Sequence, residues 1–261
     1  MSYISYRPVL NNPVLVLALT FLAFYLAALF SAFIGKRRAN LGEDEQENFN
    51  LVMAGTLTLL GLLIGFSFSM AISRYDQRKI YEEDEANAIG TEYLRVDFLP
   101  AADAARVRTL LVNYLDQRIL FYTTSDEREL QKIDATTAQL QTDLWSTTEA
   151  AAMKQPTLLT NLAVSGMNDV LNSQGYTQAA WWNKIPKGAW GLMAVISILS
   201  NALIGYGLHR KGAKSALLLI LPITVAISFF LISDIDSPRG GVIHVYPQNL
   251  ASLLQSLHVN D

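Results

Sequence analysis

The stretch "GLLIGFSFSMAISRYDQRKIYEEDEANAIGTEYLR", Gly61 to Arg95, decides the fold. From Gly61 to Ile72 it carries no charge and reads as membrane interior. From Ser73 onward it is dense in Arg, Lys, Asp and Glu and reads as the surface of a helix in water. No proline separates the halves. The pattern predicts one helix that leaves the bilayer without stopping, rising roughly 50 Å over this stretch at about 1.5 Å per residue.

Outward from that helix, the chain carries three more apolar runs. Mean hydropathy is +0.23, and 51% of the 261 residues are apolar. Charge is absent from the windows Pro13–Ile34, Leu51–Ile72, Gly188–Gly207 and Ser215–Ile232. Each meets the requirement of roughly 20 mostly apolar residues to cross about 30 Å of hydrocarbon. Buried core helices of soluble proteins are usually shorter. The first window exceeds the apolar core of a cleaved signal peptide and has only Arg7 before it, so it reads as an uncleaved span.

Short Lys/Arg loops stay in the cytoplasm. Lys36-Arg37-Arg38 follows the first span, and His209-Arg210-Lys211-Gly212-Ala213-Lys214 joins the last two. Both fall on one side of a four-span protein and support each other. They place residues 73–187 and both termini in the periplasm of a bacterial inner membrane. Arg74, Arg78 and Lys79 argue the other way, but long segments translocate largely regardless of charge. Trp181, Trp182 and Trp190 surround Pro186 at the mouth of the third span, where amphipathic rings suit the headgroup level.

The expected fold class is an all-α integral membrane protein, with four transmembrane helices and an extramembrane helical bundle between the second and third spans. The expected parts are a hairpin (1–72), the bundle (73–187), a second hairpin (188–233) and a C-terminal tail (234–261). Within the bundle, Leu99-Pro100 ends the long helix, since a residue before proline avoids the α region. Val107, Leu110, Leu111, Tyr114 and Phe121 give the next helix, about Ala101 to Tyr122, one apolar face. Thr124 and Glu127 have capping-box spacing. Leu130, Ile133, Thr137, Leu140 and Leu144 form a heptad-like stripe that Pro156 ends. A last helix runs from Thr157 to about Leu171 and leads past a kink at Ser173-Gln174-Gly175 into the third span. After the fourth span, Ser237-Pro238-Arg239-Gly240-Gly241 reads as a tight turn, and Val242, His244 and Tyr246 as a short extended segment.

Several function classes are excluded. A net charge of −3 without a basic, aromatic-laced patch argues against nucleic acid. There is no cysteine, hence no disulfide or thiolate site. His209, His244 and His258 are scattered, so no metal site is expected. No phosphate loop or nucleophile elbow is present, so no cofactor and no enzyme activity are expected. The spans hold no internal ionisable residue, which argues against a proton-coupled transporter.

The second span is the most informative. Thr58, Gly61, Gly65 and Ser69 recur at 3–4 spacing and make one face small and weakly polar. Such faces let membrane helices pack closely. They also suit a pore wall, with Thr56, Thr58, Ser67 and Ser69 supplying hydroxyls and Phe66 or Phe68 an apolar constriction. Four spans of one protomer enclose little space, so the pore reading requires a homo-oligomer. Arg74, Arg78, Glu82 and Glu85 continue one helical face, and Asp234 and Asp236 follow the fourth span. In a symmetric oligomer the first four become charged rings at the pore mouth, and the two aspartates line a cation-attracting vestibule there. The bland alternatives are a solvated face for the four, and pairing with Arg239 or capping of the turn for the aspartates.

The stretch from Gly61 through Leu99-Pro100, with Ser73-Arg74-Tyr75-Asp76 and Glu85-Ala86-Asn87-Ala88-Ile89-Gly90-Thr91, resembles a family of bacterial membrane proteins called bestrophin-like. So does the turn Asp236-Ser237-Pro238-Arg239-Gly240-Gly241. The resemblance covers nearly the whole chain. It implies similarity to bestrophins, which are pentameric anion channels with an aromatic-lined neck, and makes Phe66 and Phe68 the neck counterparts. It also implies cytoplasmic termini, opposite to the charge argument. The expected function is a homo-oligomeric channel for inorganic ions, embedded in the lipid bilayer. The alternative is a non-conducting sensor or assembly protein whose helical bundle binds a partner.

Overall fold

The computed structural model describes residues 9–37, 42–210 and 216–259. Arg7, Arg38, Lys211 and Lys214, which entered the topology and orientation arguments, lie outside the described residues. Among the described residues there is no strand. The helices are α1 (Pro13–Arg37), α2 (Glu43–Arg95), α3 (Ala101–Thr123), α4 (Glu127–Lys154), α5 (Leu158–Trp182), α6 (Lys187–Arg210), α7 (Leu217–Asp236) and α8 (Gln248–Val259). Four of these stretches are long and apolar enough to cross a membrane, lying within Pro13–Gly35, Asp44–Phe98, Leu158–Leu208 and Leu217–Asp236.

The chain forms two compact units: Met1–Tyr75 with Lys184–His244, and Asp76–Asn183 with Val245–Asp261. The first holds α1, the start of α2, α6 and α7. Its interior is built from Val16, Phe24, Leu60, Ala71, Ile185, Trp190, Met193, Val225, Phe229 and Ile232. Phe229 meets Phe24 and Trp190 edge-on, with centroids 5.4 and 5.8 Å away. Apolar side chains also cover the outside: Leu22 is 53% exposed, Phe30 68% and Ile220 58%. An apolar exterior in lipid gives no driving force for helix association, so close fit and polar contacts must hold the helices together. Gly205 supplies the fit, because a methyl there would overlap the Ala28 carbonyl of α1. Ser197, Ser200 and Asn201 are buried on α6, the last two bonded to carbonyls of their own helix.

The second unit has an apolar core of its own. Ile89, Val107, Leu111, Leu115, Leu144, Met167 and Val170 are completely buried, each contributing up to about 1.5–3 kcal/mol. The heptad-like stripe of α4 faces inward, with Ile133, Thr137 and Leu144 buried and Leu130 and Leu140 half-buried. α2 ends slightly before Leu99-Pro100, in a 3-10 turn at Val96–Phe98. Leu99 is then extended, at φ −87° and ψ 162°, as a following proline demands.

Five local expectations are corrected. The N-cap of α4 is Asp126, not Thr124, because the Asp126 carboxylate accepts the amides of Arg128 and Glu129 at 2.8 and 3.0 Å. A capping box does occur, at Thr157 and Thr160 of α5. α5 does not end near Leu171 but continues unbroken through Ser173-Gln174-Gly175 to Trp182: packing outweighs the roughly 1 kcal/mol helical cost of one glycine. Trp181 and Trp190 are buried and only Trp182 of the three is exposed, because Trp181 fills an aromatic cluster with Phe121 and Tyr122. The segment from Ile243 to Pro247 is irregular rather than a strand, and it leads into α8. That helix was not expected, although Leu250, Leu253, Leu254 and Leu257 follow Pro247 at helical spacing.

Candidate functional site

α2 is unbroken over 53 residues, about 80 Å of helix. No break occurs between Ile72 and Tyr81. One face is packed and the other is open. Leu60, Ser67, Ala71, Arg78, Glu82, Glu85, Ile89 and Glu92 are buried and mark the inward line at 3–4 spacing. Thr58, Gly61, Gly65 and Ser69 are exposed and mark the outward line. From Thr58 to Glu85 is about seven and a half turns at 3.6 residues per turn, so the two lines lie on opposite sides.

The outward face is vacant in the protomer. A methyl added at Gly61 or Gly65 would meet nothing within 4 Å. Phe66, 68% exposed, and Phe68, 36% exposed, flank the Thr58–Ser69 line. The Thr58 hydroxyl donates to the Ala54 carbonyl of its own helix at 2.9 Å. Ser67 departs from the expected pore-wall set: it is buried, on the packed side.

Arg74, Glu82, Glu85, Asp234 and Asp236 each make their contacts inside one unit or the other. Arg74 lies 3.7 Å from Asp236, and Asp236 accepts the amide of Ile185 with both oxygens at 3.1 Å. Asp236 thereby ties the approach to α6 to the end of α7. Asp234 accepts the amides of Val242 and Ile243 at 2.7 and 2.9 Å. Its carboxylate sits where a Gly241 methyl would stand, and Gly240 packs the same way against the Asn11 carbonyl. The hydroxyls of Ser233 and Ser237 both donate to the Leu10 carbonyl, at 2.9 and 3.1 Å. The Ser-Pro-Arg-Gly-Gly turn is thus clamped from three directions, and its glycines are there for close approach.

In the second unit, Glu82 caps α8. It accepts the amides of Asn249 and Leu250 at 2.9 and 3.0 Å and the Asn249 side-chain amide at 2.6 Å. Glu85 pairs with Arg118 of α3 at 2.5 Å, both side chains wholly buried, and accepts the Thr177 hydroxyl of α5 at 3.1 Å. The Arg118 guanidinium also lies 4.5 Å over the Phe121 ring. Burial, reinforced by the Glu85 carboxylate, pushes the Tyr114 and Tyr122 hydroxyls far above their ordinary range. Arg78 is buried on the same line. Among the described residues no group of His, Asp and Glu is arranged to hold a metal.

This combination of a long helix shared by two helical units and four membrane-length apolar stretches defines an all-helical membrane protein. Residues 14–250 match the model of the Bestrophin-like domain, and the chain belongs to that family. The fold agrees with solved structures. A bacterial Bestrophin homolog from Klebsiella pneumoniae, solved by Zn-SAD phasing, superposes with a TM-score of 0.61 at 14% identity over 93% of this chain and 98% of that one. Two point mutants of a Klebsiella pneumoniae homolog give 0.61 at 14% identity, covering 95% and 98% of this chain and 96% and 97% of theirs. No curated protein matches the chain.

Proposed function

We propose that this protein is a homo-oligomeric ion channel of the bacterial inner membrane, with its pore lined by the outward face of α2. The supporting observation is the vacancy beside Gly61 and Gly65 on a helix whose opposite side is packed throughout. Thr58, Gly61, Gly65 and Ser69 form the wall in this reading, and Phe66 and Phe68 stand at its flanks as an apolar constriction. Residues 1–72 and 188–233 form the two membrane hairpins, 73–187 the extramembrane bundle and 234–261 the tail. The bundle and both termini lie in the periplasm.

The six charged residues take a different part from that of mouth rings and vestibule. Arg74, Arg78, Glu82, Glu85, Asp234 and Asp236 hold α2 and its neighbours in place, which fits the burial of all but the half-buried Arg74 and the contacts of Arg74, Glu82, Glu85, Asp234 and Asp236. Family membership and the bestrophin fold support a channel over an enzyme. The exposed apolar side chains Met153 and Leu158, 77% and 89% exposed, favour the second reading, a partner-binding assembly protein anchored by its spans.

Purified protein reconstituted into liposomes should pass Na⁺, K⁺ or Cl⁻ faster than empty liposomes do, and its mass in detergent should be that of a ring of several subunits. Flux at the empty-liposome level for all three ions overturns the channel. A monomer or dimer carrying a stoichiometric partner supports the assembly protein.

A further inference from the structure

We propose that Glu92 is a proton-binding site, buried where α2 crosses α5, whose loading sets how tightly the two helices pack. Five carboxylates are buried among the described residues: Glu82, Glu85, Glu92, Asp234 and Asp236. Four of them accept hydrogen bonds or pair with arginine. Glu92 is wholly buried and neither of its oxygens has a hydrogen-bond partner. An ionised carboxylate in that state is costly, and a protonated one much less so.

The site is shaped by the facing helix. Gly166 of α5 lies against Glu92, and a methyl there would overlap the Glu92 carboxylate and stand 2.7 Å from Nη1 of Arg95. The missing Cβ is what lets α2, with both side chains, close onto α5. The charges around Glu92 come from few places. Arg95, one turn on along α2, attracts its proton-free form, and Asp169 of α5 repels it. Arg95 is turned toward Asp169, at 4.0 Å. Asp97 of the 3-10 turn is held by Arg108 of α3. α8 reaches α2 through Leu253 against Gly90 and carries His258, which is exposed.

Burial raises the Glu92 carboxyl from 4.5 to about 8, with Arg95 opposing and Asp169 assisting. The folded chain therefore binds one more proton than the unfolded chain between these values. Its stability falls as pH rises through that window and levels off above about 8. When the proton leaves, Arg95 is the nearest cation. Its swing from Asp169 toward Glu92 must disturb the contact at Gly166.

The test uses the full-length protein in nanodiscs and needs no ion flux, so it stands or falls separately from the channel. Infrared spectra of protein labelled with 13C-glutamate should show a protonated glutamate carboxyl at about pH 6.5 that disappears with a midpoint near 8. Glu92→Gln should lack that band. Compared at the same pH, amides of 86–96 and 160–170 should exchange equally in wild type and Glu92→Gln at about pH 6, and several-fold faster in the wild type at about pH 9. A wild-type spectrum without the band at about pH 6.5, or with the band retained in Glu92→Gln, overturns the proposal. So does an exchange ratio that does not change with pH. If Glu92→Gln does not fold, the wild-type band alone decides.

Discussion

The two faces of α2 differ in kind. The inward face carries buried charge, most of it engaged by neighbouring elements, whereas the outward face carries glycine and hydroxyls, and a methyl at Gly61 or Gly65 would meet nothing within 4 Å. The same helix therefore does two jobs divided by about half a turn. Charge buried among neighbours specifies a fold, while the small residues Gly61 and Gly65 leave open space beside the helix. A ring reading that puts both features on one pore wall merges what the helix keeps apart.

The sharpest way to break this comparison is to attack the buried pair. Arg118→Ala leaves Glu85 buried and uncompensated, which should cost about 3–5 kcal/mol in chemical denaturation. Replacing both partners with apolar residues (Glu85→Leu with Arg118→Met) should recover most of it. If Arg118→Ala unfolds like the wild type, the inward face is not what holds the second unit together. Asp234→Ala comes next. It strands the Val242 and Ile243 amides, at about 1–3 kcal/mol for each, visible as a lower melting temperature and new protease cuts in 237–247. Glu82→Ala removes the cap of α8 and should cost about 1 kcal/mol. Faster amide exchange confined to 248–259 would show it, and unchanged exchange there would contradict it. The smallest effect on stability belongs to the outward face. Gly65→Leu should leave protomer unfolding within about 0.5 kcal/mol of wild type yet reduce liposome flux severalfold. A large loss of stability there would mean the face is already packed.

Much of this was legible beforehand. The absence of proline between Gly61 and Arg95 foretold the unbroken helix, and the apolar windows foretold the four membrane-length stretches. The division of the two faces was legible too, since it follows from spacing. It stayed hidden because Arg74 through Glu85 and Thr58 through Ser69 each suggest a ring when taken alone. α8 was missed because its leucines come after a polar turn and look like tail. Thr124 and Asp126 are both competent caps, and only the position of the first helical residue chooses between them. The isolation of Glu92 had no signal in the sequence: it depends on a glycine on another helix, and nothing local to Glu92 points to Gly166.

The bond from Glu82 to the amide of Asn249 also bears on how the protein is made. Asn249 leaves the ribosome after α7, long after Glu82 has been synthesised. Until then Glu82 has no main-chain amides to accept from, and the place of α8 on the second unit is empty. Assembly of that unit cannot finish until the last apolar helix has been threaded, so a nascent chain stalled before Gln248 should present an incomplete bundle to quality-control proteases.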